Sequence, residues 1–128
     1  MIRWAAALAL VPVLASAQEA FQLPSGNIHC AVHEGTLRCD VLEFTYPRPA
    51  RPPGCEEGWG SAITLGGKGP ARVICHGDTV ADPGNPVLGY GNAWQGPRMA
   101  CTAARTGLRC TNGDGRGFEM SRARLRLF

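Results

Sequence analysis

The chain has 128 residues, which is enough for one domain at the usual size of about 100 to 200 residues. Its 13 basic and 10 acidic residues nearly balance, at a net charge of +3, so charge alone gives no reason to expect a nucleic acid or another polyanion as a partner. Because 17 glycines and 10 prolines punctuate the sequence, long helices are excluded and short strands joined by turns are predicted.

Residues 1–17 have the pattern of a secretory signal peptide. Arg3 is their only charge, residues 4–14 are apolar, and small residues lead up to Ala17. The apolar run is shorter than the roughly 20 residues that a membrane-spanning helix needs. We therefore expect cleavage after Ala17 and a single mature domain over residues 18–128. The less favoured alternative is a buried N-terminal helix.

This leader predicts where the protein works. No cysteine lies in or directly after it, which excludes the lipid-modified form of bacterial signal. Beyond the leader, no stretch is apolar enough to span a membrane. We expect a soluble protein that is secreted or periplasmic.

The remaining chain alternates strand-like and turn-like segments. The strand candidates are rich in β-branched or aromatic residues and are bounded by Gly, Pro, Asn or Asp. They are 27–33, 36–44, 62–65, 71–75, 87–94, 99–103, 108–112, 118–120 and 124–128. Residues 46–59 contain four prolines, which forbid a central strand and predict an extended, polyproline-like connection. Residues 77–86 form a second turn-rich loop.

The stretch "CAVHEGTLRC" at 30–39 returns as "CTAARTGLRC" at 101–110. If each copy is a hairpin with its cysteines facing each other, the Cα atoms lie about 4.5 to 5.5 Å apart. A disulfide accepts about 4.4 to 6.8 Å. An even cysteine count in an exported chain also indicates disulfides. The predicted bridges are Cys30–Cys39, Cys101–Cys110 and, by elimination, Cys55–Cys75.

A metal or redox site is the alternative use of these cysteines. Structural zinc sites and thioredoxin-like motifs need closely spaced pairs such as Cys-x-x-Cys, and the sequence contains none. We therefore expect no metal and no cofactor. The predicted fold is mostly β: a small disulfide-stapled antiparallel sheet or partly open barrel, with two related hairpins and long Gly/Pro-rich loops.

One pair of residues could support catalysis. In the hairpin register His29 lies opposite Asp40, and a His–Asp pair is two-thirds of a catalytic triad. A nucleophile must also be within reach, and none of the serines of the mature chain, Ser25, Ser61 and Ser121, has the sequence context of a nucleophile elbow. A solvated cross-strand pair is the favoured interpretation, so no catalytic residue is assigned.

Candidate binding residues lie near the C-terminus. The stretch "NGDGRGF" at 112–118 could form an anion-binding nest or offer Asp114 to calcium, with Arg116 beside it. It lacks the paired acids of an EF-hand, and a tight turn is the favoured interpretation. Arg116 and Asp114 are retained as candidates for binding only.

The tail "SRARLRLF" alternates arginines with apolar residues. As a strand, it would place Arg122, Arg124 and Arg126 on one face, where a phosphate or carboxylate could bind. A solvated charged face is the commoner outcome of such a pattern. The alternation changes phase near Ser121, which predicts a bulge or bend there.

Spaced segments along the mature chain also carry a family resemblance. They are Phe21 with "SGNIHC", "RCD" at 38–40, Cys55 with Trp59-Gly60, "ARVICHGDT" at 71–79, "PVLGYGNAW" at 86–94, Cys101, "GLRCTN" at 107–112, and Gly115, Gly117, Phe118, Ser121 and Arg122. Together they resemble the domain of unknown function 6636, a family of small secreted bacterial proteins. The resemblance implies export and the six-cysteine framework but no activity. Histidine is frequent in that family at the position of Arg116, so a role that needs an imidazole there is not expected here.

These patterns favour a non-catalytic binding or inhibitory module, for example a lysozyme inhibitor. Its partner would be a protein, a glycan or an anionic ligand outside the cytoplasm, and not a nucleic acid. Two alternatives stay open. One is a small hydrolase that uses His29 and Asp40 with a serine or water, and the other is an envelope protein that binds anionic lipid or polysaccharide through the C-terminal arginines.

Overall fold

The computed structural model describes residues 19–128. The predicted signal peptide therefore lies outside the described residues. Ten strands and no helix form in the described range, so it holds no helix that could cross a membrane. The strands are Ala20–Gln22 (β1), Ile28–His33 (β2), Thr36–Val41 (β3), Ala62–Leu65 (β4), Arg72–Val73 (β5), Ala93–Gly96 (β6), Met99–Ala104 (β7), Gly107–Asn112 (β8), Gly117–Met120 (β9) and Leu125–Leu127 (β10).

The strands form two five-stranded antiparallel sheets. The first has the order β1-β2-β3-β4-β5 and the second β6-β7-β8-β9-β10, so every strand pairs with its neighbour in sequence. The predicted mostly-β, antiparallel fold is confirmed, as two sheets that do not close into a barrel. One strand prediction is wrong: of residues 87–94, only the last two belong to a strand. Instead, Val87 makes a parallel bridge to Gln22 at the edge of the first sheet.

The two sheets are copies of one arrangement. In each, an aromatic residue lies opposite a cysteine, that cysteine lies opposite a second cysteine, and two apolar residues complete the row. The rows are Phe21–Cys30–Cys39–Ile63–Val73 and Trp94–Cys101–Cys110–Phe118–Leu127. The chain is therefore an internal structural repeat, of which the sequence shows only the hairpin motif.

Both rows face a common hydrophobic core, except for Leu127 at the edge of the second sheet, which is 39% exposed. Alternation along each strand sends every second residue inward, and the inward-facing residues of both sheets form one buried cluster. Its fully buried members include Leu37, Leu65, Leu108, Phe118 and Met120. Each such side chain contributes about 1.5 to 3 kcal/mol by leaving water.

The disulfides join the pairs that the sequence predicts. Cys30–Cys39 and Cys101–Cys110 each have Cα atoms 4.1 Å apart, slightly closer than predicted, and in Cys55–Cys75 the separation is 5.8 Å. Both hairpins close through two-residue loops. In the first loop, Glu34 and Gly35 have φ values of 50° and 78°, the backbone of a type I′ turn that suits the twist of a hairpin.

The proline-rich connection between β3 and β4 is held by specific contacts. The Trp59 Nε1–H group donates to the carbonyl of Pro49 at 3.0 Å, and the buried Tyr46 hydroxyl donates to the carbonyl of Gly60 at 2.5 Å. The Cys55–Cys75 bridge ties the end of this connection to the segment after β5. The long Gly/Pro-rich loops are thus fixed to the sheets.

Candidate functional site

His29 and Asp40 lie opposite each other, as the sequence predicts, but the polar contacts of His29 are with other residues. Its Nε2 atom is 3.0 Å from the carbonyl oxygen of Gly26, which can only accept, so Nε2 carries the proton. Nδ1 then accepts from the Asn85 side chain at 3.0 Å and from the backbone N–H of Asp82 at 3.4 Å. Both ring nitrogens of this buried histidine are engaged.

Asp40 anchors the loop that follows β5. Arg38 donates to its two carboxylate oxygens at 2.9 and 3.1 Å. The Thr79 hydroxyl and the Val80 backbone N–H donate to Oδ2 at 3.0 and 3.1 Å. With four donors, and a side chain only 3% exposed, Asp40 has a structural role. The geometry gives no support to a hydrolase built on His29 and Asp40.

The same loop reaches Arg38 through Asp78. Arg38 donates to the Asp78 carboxylate at 2.9 Å and to its backbone oxygen at 3.1 Å. Burial acts to lower the pKa of Arg38, but the hydrogen bonds and charges of Asp40 and Asp78 outweigh it and raise this pKa. The hydrogen bond from Arg38 lowers the pKa of the exposed Asp78 carboxyl. Residues 78–85 thus cover the face of the first sheet that points away from the core.

A Ser–His contact that the sequence did not indicate lies beside this loop. The Nδ1 atom of His76 is 2.7 Å from the backbone oxygen of Asp78, so Nδ1 carries the proton. Nε2 then accepts from the Ser61 hydroxyl at 3.1 Å. This arrangement has the nucleophile, base and orienting group of a hydrolase. Ser61 lies in no sequence motif, and the family segment that contains His76, residues 71–79, does not indicate a contact with it. The two residues come together only through folding.

The tail arginines do not share one face. Ser121–Arg124 form a bend closed by the Ser121 N–H and the Arg124 carbonyl at 2.8 Å, which confirms the predicted change of phase. Only Arg126 lies on β10. Arg122 instead pairs with Glu43 at 2.9 Å. The predicted row of three guanidiniums is wrong because the bend interrupts the strand.

The glycine-rich stretch is a turn with a structural role. The Asn112 side-chain oxygen accepts from the backbone N–H groups of Asp114 and Arg116 at 3.0 and 3.1 Å. Asp114 accepts from the N–H of Gly69 at 2.8 Å and lies 3.5 Å from Arg98. Across residues 19–128, no group of three or more His, Cys, Asp or Glu side chains is placed to hold a metal ion.

Folding brings together a different set of charges, on the outer face of the second sheet. Arg109, Glu119 and Arg126 lie side by side on β8, β9 and β10. Arg109 donates to Glu119 at 2.6 Å, and Arg126 lies 3.5 Å from the same carboxylate oxygen. The guanidinium carbons of Arg109 and Arg126 are 4.3 and 5.2 Å from the ring centre of Phe128. Desolvation acts to raise the pKa of Glu119, but Arg126, Arg109 and Arg124 outweigh it and lower this pKa.

A groove of about 330 Å³ lies beside these charges. Its lining combines hydroxyls with charged groups and includes Thr102, Thr106, Ser121, Arg109, Glu119 and Arg124. Gly107 leaves no room for a side chain there, since an added Cβ would lie 2.5 Å from the backbone oxygen of Met120. The groove, Arg109, Glu119, Arg124, Arg126 and Phe128 are called the arginine face below.

Of the sequence candidates, only Arg124 and Arg126 belong to the arginine face. Arg109, Glu119 and Phe128 were missed. The sequence did contain a signal for Glu119. This residue lies between Phe118 and Met120, which are buried on the strand, so the side chain of Glu119 points outward. Only the pairing of β8 with β9 places Arg109 beside Glu119, and the sequence does not show which strands pair.

Comparison with known proteins leaves the activity open. No curated protein matches this chain. No solved structure matches it either. A family model does match, over residues 4–128, in agreement with the resemblance seen in the sequence. The chain belongs to that family, the family of unknown function DUF6636.

Proposed function

We propose that this protein is a non-catalytic binding module that works outside the cytoplasm and holds an anionic group of its partner on the arginine face. The observation that carries the proposal is the grouping of Arg109, Arg124 and Arg126 around one carboxylate, Glu119, beside a groove. Three guanidiniums against one carboxylate leave positive charge at the surface. Guanidinium groups bind carboxylates and phosphates through paired hydrogen bonds.

The rigidity of the sheet supports a binding role. Arg109 lies next to Cys110, which is bonded to Cys101 on the neighbouring strand. A disulfide of this kind contributes about 2 to 4 kcal/mol to stability. The Phe128 ring also lies against the Arg109 guanidinium. A site that is already ordered loses less entropy when it binds a partner.

The disulfides also indicate where the module works. All six cysteines are paired, and such bridges persist in oxidising compartments outside the cytoplasm. The predicted signal peptide at residues 1–17 agrees with export. We infer a secreted or periplasmic protein.

Chromatography on immobilised heparin at low salt tests the proposal. The wild-type protein should be retained, and the double variant Arg124→Ser/Arg126→Ser should elute at clearly lower salt, because the screened attraction of the arginine face is lost. The matched control is Lys68→Ser/Arg72→Ser, which removes the same charge from exposed positions elsewhere. The control should elute close to wild type. Equal shifts in both double variants, or no retention of the wild type, would contradict an anion site on this face.

The Ser61–His76 contact favours one second candidate, a serine hydrolase. The deprotonated Nε2 of His76 could take the Ser61 proton as general base while the Asp78 carbonyl orients the ring. A fluorophosphonate probe tests it, since an activated serine forms a covalent adduct detectable by mass. The adduct should disappear in Ser61→Ala and persist in Ser25→Ala. An unlabelled wild-type protein would remove this candidate.

A further inference from the structure

The internal repeat places arginines at the same two positions on the outer faces of both sheets. Because the inner rows of the sheets correspond, the neighbouring outer rows correspond as well. Those rows are Ala20–Ala31–Arg38–Thr64–Arg72 and Ala93–Thr102–Arg109–Glu119–Arg126. Arg38 therefore corresponds to Arg109, and Arg72 to Arg126.

On the first sheet, this outer face has an occupant from the chain itself. The loop segment 78–80 lies across this face. The carboxylate and the carbonyl of Asp78 both accept hydrogen bonds from Arg38. The Thr79 hydroxyl and the Val80 N–H both donate to the Asp40 carboxylate. The loop then continues toward β1, where the Gln22 side chain donates to two of its carbonyls, at 3.1 and 2.7 Å. The result is an acidic loop segment held by an arginine and a carboxylate.

On the second sheet, the corresponding face is more exposed, although the Phe128 ring lies against Arg109 and Arg126. The side chains of Arg109 and Arg126 are each 48% exposed, compared with 17% for Arg38. Within residues 19–128, the polar contact of the Arg109 guanidinium is the single hydrogen bond from Nη1 to Glu119. Its other two nitrogens remain available to a ligand.

We infer that the arginine face is the docking site for an acidic segment of a partner protein. A carboxylate of that segment accepts hydrogen bonds from Arg109, just as the Asp78 carboxylate accepts one from Arg38. The inference rests on the proposed function and adds the chemical class of the partner. Arg124 and the hydroxyls of Thr102 and Thr106, which line the adjacent groove, supply donors for further carboxylates or backbone carbonyls.

The central carboxylate favours a peptide over a polysaccharide or a lipid surface. Asp40 holds the loop by accepting hydrogen bonds from the Thr79 hydroxyl and the Val80 backbone N–H. Glu119, between Arg109 and Arg126, offers the same acceptor chemistry to a bound segment. A peptide has a backbone N–H group at nearly every residue, and one of these can donate to the Glu119 carboxylate. Sulfates and phosphates can bind to the arginines, but they offer no such donors to Glu119 and so use only part of the site.

The test uses the chain's own loop as the probe. A fluorescent peptide with the sequence Gly-Asp-Thr-Val-Ala-Asp-Pro, that of residues 77–83, is titrated with the intact folded protein and its binding is followed by anisotropy. A second peptide carries Asn in place of both Asp residues. We expect the acidic peptide to bind and the amide peptide to bind at least about ten-fold more weakly, because hydrogen bonds to charged groups are the stronger ones.

Protein variants locate the binding. Arg109→Gln and Arg124→Gln should each weaken binding of the acidic peptide several-fold. Arg72→Gln, at the first-sheet position that corresponds to Arg126, should leave that binding unchanged. Thermal unfolding confirms that each variant is folded. Equal binding of both peptides, or an affinity unchanged by Arg109→Gln and Arg124→Gln, overturns the inference.

The outcome separates this inference from the proposed function. If heparin retention depends on the arginine face but the acidic peptide does not bind, anion binding stands and the peptide class is wrong. Flotation with vesicles of an anionic phospholipid then tests a lipid surface as the source of the anion, and binding to them without peptide binding also overturns the inference. If neither heparin nor peptide is held, both proposals fail.

Discussion

Phe21 and Trp94 hold the same position in the two copies of the sheet, and their rings lie against each other with centroids 5.5 Å apart. Each is paired with the first cysteine of its hairpin, Cys30 or Cys101. The two disulfide-bonded hairpins therefore meet through this aromatic contact. Residues of both repeats share one core, so the two sheets should unfold together.

Phe21→Ala should destabilise the whole protein. Phe21 is 1% exposed, and truncating a buried phenylalanine costs about 3 to 5 kcal/mol because it leaves a cavity. Against a typical total of about 5 to 15 kcal/mol, the loss should be plain in urea unfolding. The control Leu42→Ala, at a side chain that is 49% exposed, should stay within about 0.5 kcal/mol of wild type. Equal midpoints for the two variants would show that the ring contact does not hold the repeats together.

Asp40→Asn should loosen the loop over the first sheet. An amide keeps one acceptor oxygen but turns an NH₂ group toward the Arg38 donors, and breaking a buried ion pair costs about 3 kcal/mol or more. Amide hydrogen exchange in residues 78–85 should accelerate together with the loss of stability. Asp78→Asn, at a carboxylate that is 81% exposed, should cost much less. A ranking with Asp78 as the more costly position would contradict the anchoring role of Asp40.

The hairpins were predictable because their constraint is local. Two cysteines nine positions apart, on either side of a short turn, can bond only when they face each other. That constraint fixes the register of Cys30–Cys39 and of Cys101–Cys110. The register also placed His29 opposite Asp40. The sequence could not show that residues 78–85 would fold over this pair, since those contacts join positions about 40 to 56 residues apart along the chain.

The arginine face was predictable only in part for the same reason. Alternation along the strands indicates that Glu119 and Arg126 point outward, but the position of Arg109 beside them depends on β8 pairing with β9. Segment 87–94 was predicted as a strand because its β-branched and aromatic residues, Val87, Tyr90 and Trp94, favour extended structure. The N–H of Asn92 instead bonds to the carbonyl of Gly89, and Gly91 has a φ of 86°. A turn therefore takes the place of the strand.

His29 and His76 should carry their protons on opposite ring nitrogens at neutral pH. His29 faces a carbonyl through Nε2, and His76 faces one through Nδ1, and a carbonyl requires a donor. A long-range ¹H–¹⁵N correlation spectrum should assign the Nε2–H tautomer to His29 and the Nδ1–H tautomer to His76. His33, whose side chain is 90% exposed, provides the solvent-averaged reference. The same tautomer at both sites would contradict the hydrogen bonds on which the loop anchoring and the Ser61 contact depend.

Tyr46 should make stability fall in strong base. Burial raises the pKa of this phenol to about 12 from 10.0, although the charge of Arg48 lowers it in part. A phenol with a raised pKa stabilises the folded state fully below the unfolded value of 10.0, and that contribution is lost as the pH rises toward about 12. Rapid pH-jump absorbance near 295 nm should show the folded Tyr46 ionising in this upper range.

Tyr46→Phe isolates this group. The variant lacks the hydrogen bond to the Gly60 carbonyl, so it should already be less stable than wild type at neutral pH, by about 1 to 3 kcal/mol. Its stability should then change less than that of wild type between pH 10 and about 12. Parallel curves over that interval would mean that the phenol is solvated in the folded protein. In that case the connection between β3 and β4 would not pack against the first sheet through Tyr46.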